Sequence, residues 1–319
     1  MQKQVLVIFL ICPILLFGQT KWKCVDSLYQ PLPSSVHVYF TNDNIEGKPN
    51  IAYYVTAELK DKTLNFTTQI GNGKRLTPTQ YFTQEQKPLL VMNCTFFEFV
   101  HNSNLNVVIK DSKVLAYQLH TIAGKGKDTL MYSHPFGSAL GISKSRKADI
   151  VWLYTDSSET RAYASQKAIN ALKDSVSNHT KKEMLQSGSF KKWKVQTAVG
   201  GGPVLIQNGE IQISNNEEMK FAAKAINDKH PRTSMGYTAD DKLIMMVIEG
   251  RFPGKAEGAT LTQEAKLLKE IGCVEALNLD GGGSSCLLIN GKPTITPSDK
   301  EGQRPVPAVW MVKLNNSKN

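Results

Sequence analysis

The chain has 319 residues, 41% of them hydrophobic, and carries a formal charge of +10 from 38 Lys and Arg against 28 Asp and Glu. This is the composition of a packed globular protein with one large or two medium domains. The basic excess is Lys scattered through loops and helices, including Lys181-Lys182 and Lys191-Lys192, with no aromatic-interleaved basic stripe of the kind that binds nucleic acid. It reads as a solvated surface that would steer an anionic substrate.

Lys3, an apolar run from Val5 to Phe17 and then Gly18-Gln19-Thr20 have the layout of a secretory signal peptide, with cleavage expected after Gly18. The run is too short to span a bilayer comfortably, and no later segment approaches the required length. The expectation is an exported protein, secreted or periplasmic, with no membrane insertion after cleavage. The style of the signal suggests a bacterial envelope. Four cysteines remain beyond it, Cys24, Cys94, Cys273 and Cys286, at spacings that resemble neither a disulfide scaffold nor a zinc site.

Residues 19–50 are turn-rich, with one alternating strand at Val36 to Phe40, and read as a peripheral lead-in to a domain over 51–319. From Ile51 to about Ile142 strand patterns dominate: Ile51 to Leu59, Leu64 to Ile70, Leu89 to Asn93, Leu105 to Ile109, Val114 to Leu119 and Ala139 to Ile142. Ile150 to Tyr154 adds another, and the spacing of Ala164, Ala168, Ala171, Leu172, Val176 and Met184 predicts a helix over Arg161 to Gln186. Further on, strands are expected at Ala198 to Ile206, interrupted by Gly200-Gly201-Gly202-Pro203, at Ile211 to Ile213, and as a pair at Arg232 to Thr238 and Lys242 to Glu249. Glu217 to Ala225 is a short helix candidate, and Thr262 to Ile271 is an amphipathic helix that Thr260 or Thr262 caps. The predicted fold class is α+β: a single domain with a curved, mainly antiparallel mixed sheet flanked by helices.

The most informative stretch comes next, Leu277 to Ile289, an apolar strand that runs into Asp280-Gly281-Gly282-Gly283-Ser284-Ser285 and then resumes. Asp280 stands at the strand's end, and three residues without a Cβ let a ligand come close to the backbone. A plain hairpin turn would need only Asp-Gly. Four other segments end an apolar strand in polar residues and glycine: Asn93-Cys94-Thr95-Phe96-Phe97, Gly200 to Pro203, Arg232-Thr233-Ser234-Met235-Gly236 and Glu249-Gly250-Arg251. If these strand ends meet at one rim, they make a polar pocket floored by glycine.

In this order and spacing the residues resemble the phosphodiester glycosidase family, over roughly Asn93 to Leu314. The match rests on Arg232-Thr233 with Gly236, Glu249-Gly250-Arg251, Leu261-Thr262 with Glu264, and Asn278 to Ser285. Cys94 and Thr95 depart from the family's Gly or Ala, and Glu249 stands where the family often has Asp. The resemblance implies hydrolysis of the glycosidic bond of a sugar-1-phosphodiester, an N-acetylglucosamine-like sugar on a phosphate-bearing aglycone, in which oxocarbenium-like charge is met by carboxylates. It makes Asp280 the leading catalytic carboxylate, with Glu249 or Glu264 as partner. Arg232, with Thr233 beside it, and Arg251 are assigned to phosphate or sugar, and Asn93, Ser284 and Ser285 to sugar hydroxyls. The amides of Gly281, Gly282 and Gly283 are assigned to an anion nest. No cofactor is called for, and His37, His101, His120, His134 and His179 show no metal-ligand spacing.

Plainer roles compete. Arg232 and Arg251 could pair with Glu249 and Glu264 in a structural network, Glu264 could be a capping-box acid, Asn93 could end a buried strand, and His230 reads as a surface-loop histidine. Serine hydrolase chemistry is disfavoured because Gly283-Ser284 runs on to Ser285-Cys286 without the Gly-x-Ser-x-Gly elbow. The alternative from another class is a non-catalytic envelope glycan-binding protein.

Overall fold

The structure is a computed structural model that describes residues 19–124, 131–222 and 225–315. The signal-peptide reading at 1–18 and part of the helix expected over Glu217 to Ala225 lie outside those residues. Within the described part of that segment, helix occupies only Asn215–Glu218. Strands dominate, in sheets of eight, seven, five and three strands, and every strand pairing among the described residues is antiparallel. The fold is therefore mostly β, with four α-helices among the described residues, and the expected balance of helix and strand is corrected toward strand.

The centre of the eight-stranded sheet runs Val36–Thr41, Ala52–Glu58, Lys242–Ile248, Arg232–Thr238, Cys273–Asn278 and Val204–Gln207 in spatial order. Residues 36–41 are thus an integral strand, paired along Ala52–Glu58 with Val36 and Val38 buried. The Lys242–Ile248 strand is apolar at nearly every position because both its faces are covered. Leu243, Met245 and Val247 point into a core shared with the five- and seven-stranded sheets through Met92, Trp310, Leu140 and Trp152, while Ile244, Met246 and Ile248 meet a helix. That helix is Leu261–Ile271, which seats Leu261, Ala265 and Leu268 on the sheet. Thr260 caps it and Gln263 completes the capping box, so Glu264 is not the capping acid.

The long helix predicted over Arg161 to Gln186 does not form. Tyr163–Ser165 and Leu172–Ser175 are strands, and helix begins only at Lys181–Gln186, where Thr180 and Glu183 form a capping box. The alanine spacing was misleading because Tyr163 and Ala164 are held across from Tyr154 and Leu153 by ladder pairing, which overrides local preference. The sequence also hid the short helix Pro78–Gln84, which Thr77 caps and Pro78 opens.

Candidate active site

The strand Cys273–Asn278 delivers Asp280 to the seam between two sheets. Its continuation, Leu287–Ile289, pairs not with it but with Leu90–Asn93 in the five-stranded sheet, so the glycine-rich segment is a crossing between sheets and not a hairpin. Gly282–Ser284 makes a single 3-10 turn. Gly282 has φ +61°, and a Cβ on Gly283 would sit 2.3 Å from Arg304 Nη2. The close packing of a guanidinium against this backbone accounts for the missing side chains.

Asn93 anchors the crossing. Its Nδ2 donates to the Asp280 carbonyl at 2.5 Å, and its Oδ1 accepts from Thr233 Oγ1 and from the Cys286 amide, each at 3.0 Å. With its one proton given to Asn93, Thr233 Oγ1 accepts from Ser285 Oγ at 3.2 Å, and the Asp280 amide donates to the Cys94 carbonyl at 2.8 Å. Asn93, Thr233 and Ser285 are all buried, so their polar groups are spent on holding the carboxylate's backbone in place. Of the proposed nest, the Gly282 N–H is already given to the Pro231 carbonyl.

The Asp280 side chain is partly buried. Burial pushes its carboxyl up to about 6, against the opposing influence of the Ser284 hydroxyl, Arg304, Lys220 and the Gly281 amide. Two cations that sequence reasoning did not single out, Lys220 and Arg304, thus act on it electrostatically without pairing with it. Lys220 follows the Asn215–Glu218 helix. Its Nζ lies 3.8 Å from the Phe96 ring centroid and 3.5 Å from Asn106 Oδ1, and burial holds it down to about 8 against the pull of Glu218 and Asp280. Arg304 is paired through Nη2 with Asp299 at 2.6 Å. Neither has a local signal: Lys220 is one lysine among many, and Arg304 lies in a loop with no glycine-strand pattern.

Glu218 is buried and fully bonded. Its oxygens accept from Trp152 Nε1 at 3.1 Å, the Val204 amide at 3.0 Å, Ser214 Oγ at 2.6 Å and Ser138 Oγ at 2.8 Å. Gly202, at φ +116°, passes so close that a Cβ would lie 2.2 Å from Glu218 Oε2, which explains the glycines before Pro203. Next to Lys220 opens a cavity of about 220 Å³, lined among others by Phe96, Gln118, Leu119, Gly201 and Phe221. A wider, open depression of about 640 Å³ elsewhere has only one carboxylate, Asp111, and that is exposed.

Of the remaining sequence candidates, Arg251 reaches the glycine turn and the others are placed elsewhere. Strand alternation sends Thr233 toward Asn93 and its neighbour Arg232 to the opposite face, under the helix. There Arg232 donates to the carbonyls of Ala259 and Asp228 at 2.8 and 2.9 Å. Glu264 lies on the same face with no exposure and no hydrogen-bond partner for either oxygen. Burial pushes its carboxyl up to about 7 despite Arg232 and the Ser234 hydroxyl. Glu249 is buried and pairs with Lys255 Nζ at 2.9 Å and the Thr296 amide at 2.8 Å. Arg251 is exposed, with Nη2 near Gly282 and 3.5 Å from His230 Nδ1. The structure thus brings together Asp280, Asn93, Thr233, Ser284 and Ser285 around the glycine turn. Glu249 and Glu264 have separate surroundings of their own. Cys24, Cys94, Cys273 and Cys286 are all free, and burial pushes the thiols of Cys94 and Cys286 up to about 12.

A partly buried carboxylate under the electrostatic influence of two cations, one of which, Lys220, lines a small cavity, is a hydrolase-like arrangement. The phosphodiester glycosidase family model matches residues 86–313, and the chain belongs to that family. It is 32% identical over 103 residues to the mouse N-acetylglucosamine-1-phosphodiester alpha-N-acetylglucosaminidase, a match covering 30% of this chain and 20% of the mouse protein. Its fold is similar to that of the zebrafish enzyme's catalytic domain, solved auto-inhibited by its pro-peptide, with TM-score 0.61 and 18% identity over 93% of this chain and 89% of that one. A hypothetical protein from Synechocystis is similar too, with TM-score 0.61 and 15% identity over 92% of this chain and 64% of the other. Membership points to hydrolysis at the level of the family. Among the described residues no helix is long and apolar enough to cross a membrane, which does not bear on strands.

Proposed function

We propose that this chain is an exported hydrolase that cleaves the glycosidic bond of a sugar-1-phosphodiester, with an N-acetylglucosamine-like sugar and a phosphate-bearing aglycone. The observation that carries the reading is the partly buried Asp280 carboxylate, locked through its backbone by Asn93 and within the electrostatic influence of Lys220 and Arg304. As the anomeric C–O bond breaks, its electron pair leaves with the phosphate oxygen and positive charge grows on the sugar. Asp280 meets that charge, and the two cations meet the departing phosphate. A phosphate is a weakly basic leaving group, so the arrangement asks little of a general acid. The cavity beside Phe96 and Lys220 is the place for the sugar ring, whose apolar face suits Phe96 and Phe221.

The test is sugar release by purified protein from a panel of α- and β-linked sugar-1-phosphodiesters, with Asp280→Asn alongside. Turnover in the wild type that falls at least about 10³-fold in the variant supports the reading. Full activity in the variant rules out Asp280, and saturable binding without turnover over the whole panel favours a glycan-binding role.

A further inference from the structure

The rim of the glycine crossing holds a cluster of which the chemistry at Asp280 uses only Arg304. Phe99 is 57% exposed, so its ring is open to solvent. The Arg75 guanidinium carbon lies 4.9 Å from the Phe99 ring centroid and 5.6 Å from that of Phe97, and the Arg304 guanidinium carbon lies 5.7 Å from Phe99. One ring therefore holds two guanidiniums, which can be no further apart than their two distances to it taken together. Like charges at that range repel, and an aromatic ring offsets only part of the repulsion. Arg304 has Asp299 as its counter-ion, whereas Arg75 makes no ion pair among the described residues. Glu98, next to Phe99, is turned instead onto the Val100 and His101 amides and the His101 ring. The cluster keeps one uncompensated positive charge, and Arg304 connects it to the catalytic turn by packing against Gly283.

The geometry points to a second anion subsite, formed by Arg75 and Arg304 on Phe99, that receives a further negative group of the aglycone. The favoured substrates are then sugar-1-phosphodiesters whose aglycone carries another phosphate or carboxylate close to the scissile one. A guanidinium presents paired N–H donors to such oxyanions, and stacking on Phe99 pre-orients both forks. This inference rests on the glycosidase reading of Asp280.

Two measurements separate it from that reading. Titration calorimetry compares glycerol 1-phosphate with glycerol 1,3-bisphosphate on wild type, Arg75→Gln, Phe99→Leu and, as a charge control at an exposed turn, Lys147→Gln. Turnover assays compare N-acetylglucosamine-1-phosphoglycerol with the same compound bearing a second glycerol phosphate. The wild type should bind the bisphosphate about 5–10-fold tighter than the monophosphate at low salt, a preference that shrinks as salt rises. The ratio should fall toward one in Arg75→Gln and in Phe99→Leu, which removes only the ring, and persist in Lys147→Gln. An equal ratio in wild type and Arg75→Gln, or no preference in the wild type, overturns the subsite. Hydrolysis of both substrates at equal efficiency also overturns it while leaving the glycosidase reading standing. A bisphosphate preference without hydrolysis of either substrate counts against the glycosidase reading and leaves Arg75 and Arg304 as an anion site that serves no aglycone.

Discussion

Replacing Glu264 by Gln removes a carboxylate that is fully buried beneath the Leu261–Ile271 helix with no hydrogen-bond partner for either oxygen. Burial raises its folded-state pKa from 4.5 to about 7, against the pull of Arg232 and Ser234. An unfolded carboxyl ionises near the lower value, so between the two values the folded chain holds a proton that the unfolded chain has lost. Stability contributed at this site is therefore lost as pH rises through that window. At about 1.4 kcal/mol for each pK unit, carrying the charge costs about 3 kcal/mol once pH exceeds the folded value. Urea unfolding of wild type and Glu264→Gln at pH 4.5 and pH 8 reads this directly. The variant should match the wild type within about 1 kcal/mol at pH 4.5 and exceed it by about 2–3 kcal/mol at pH 8. A stability difference that does not grow with pH would falsify the burial argument. Turnover measured on the same samples bears on the role of Glu264, because loss of activity in a stabilised variant would make it part of the chemistry.

Asp280 must be ionised and Lys220 protonated for the proposed reaction, so kcat/KM should be bell-shaped with limbs near 6 and 8, where burial has moved the two groups. Lys220→Met should abolish the alkaline limb and, by removing a charge that holds the Asp280 carboxyl down, move the acid limb to higher pH; an unchanged alkaline limb in that variant would exclude Lys220 as its source. Asn93→Ala breaks the bonds to the Asp280 carbonyl, Thr233 and the Cys286 amide and leaves buried groups unpaired, which should cost about 2–4 kcal/mol in chemical denaturation. Wild-type stability in that variant would mean that Asn93 does not support the crossing.

Local chemistry was sufficient for part of this protein. The strands Leu64–Ile70 and Arg232–Thr238 follow from local strand preference between turn residues, and the helix Leu261–Ile271 from its apolar spacing and a capping threonine. Asp280 stood out because a strand that ends in a carboxylate and three glycines has few structural reasons to do so. The family resemblance drew on the same residues. What the sequence could not assign was the work done by each polar group. Arg232 and Thr233 are neighbours in one motif, yet pleating sends one under a helix and the other to the active turn. Glu249 and Glu264 looked like partners for Asp280, but each is taken up in surroundings that depend on segments distant in the chain. Lys220 and Arg304 act on the carboxylate only because separate loops converge near the seam between two sheets. Strand order and crossing paths are set by long-range pairing and shared burial, so a side chain's neighbours are decided by the tertiary structure even where its element is legible from its own residues.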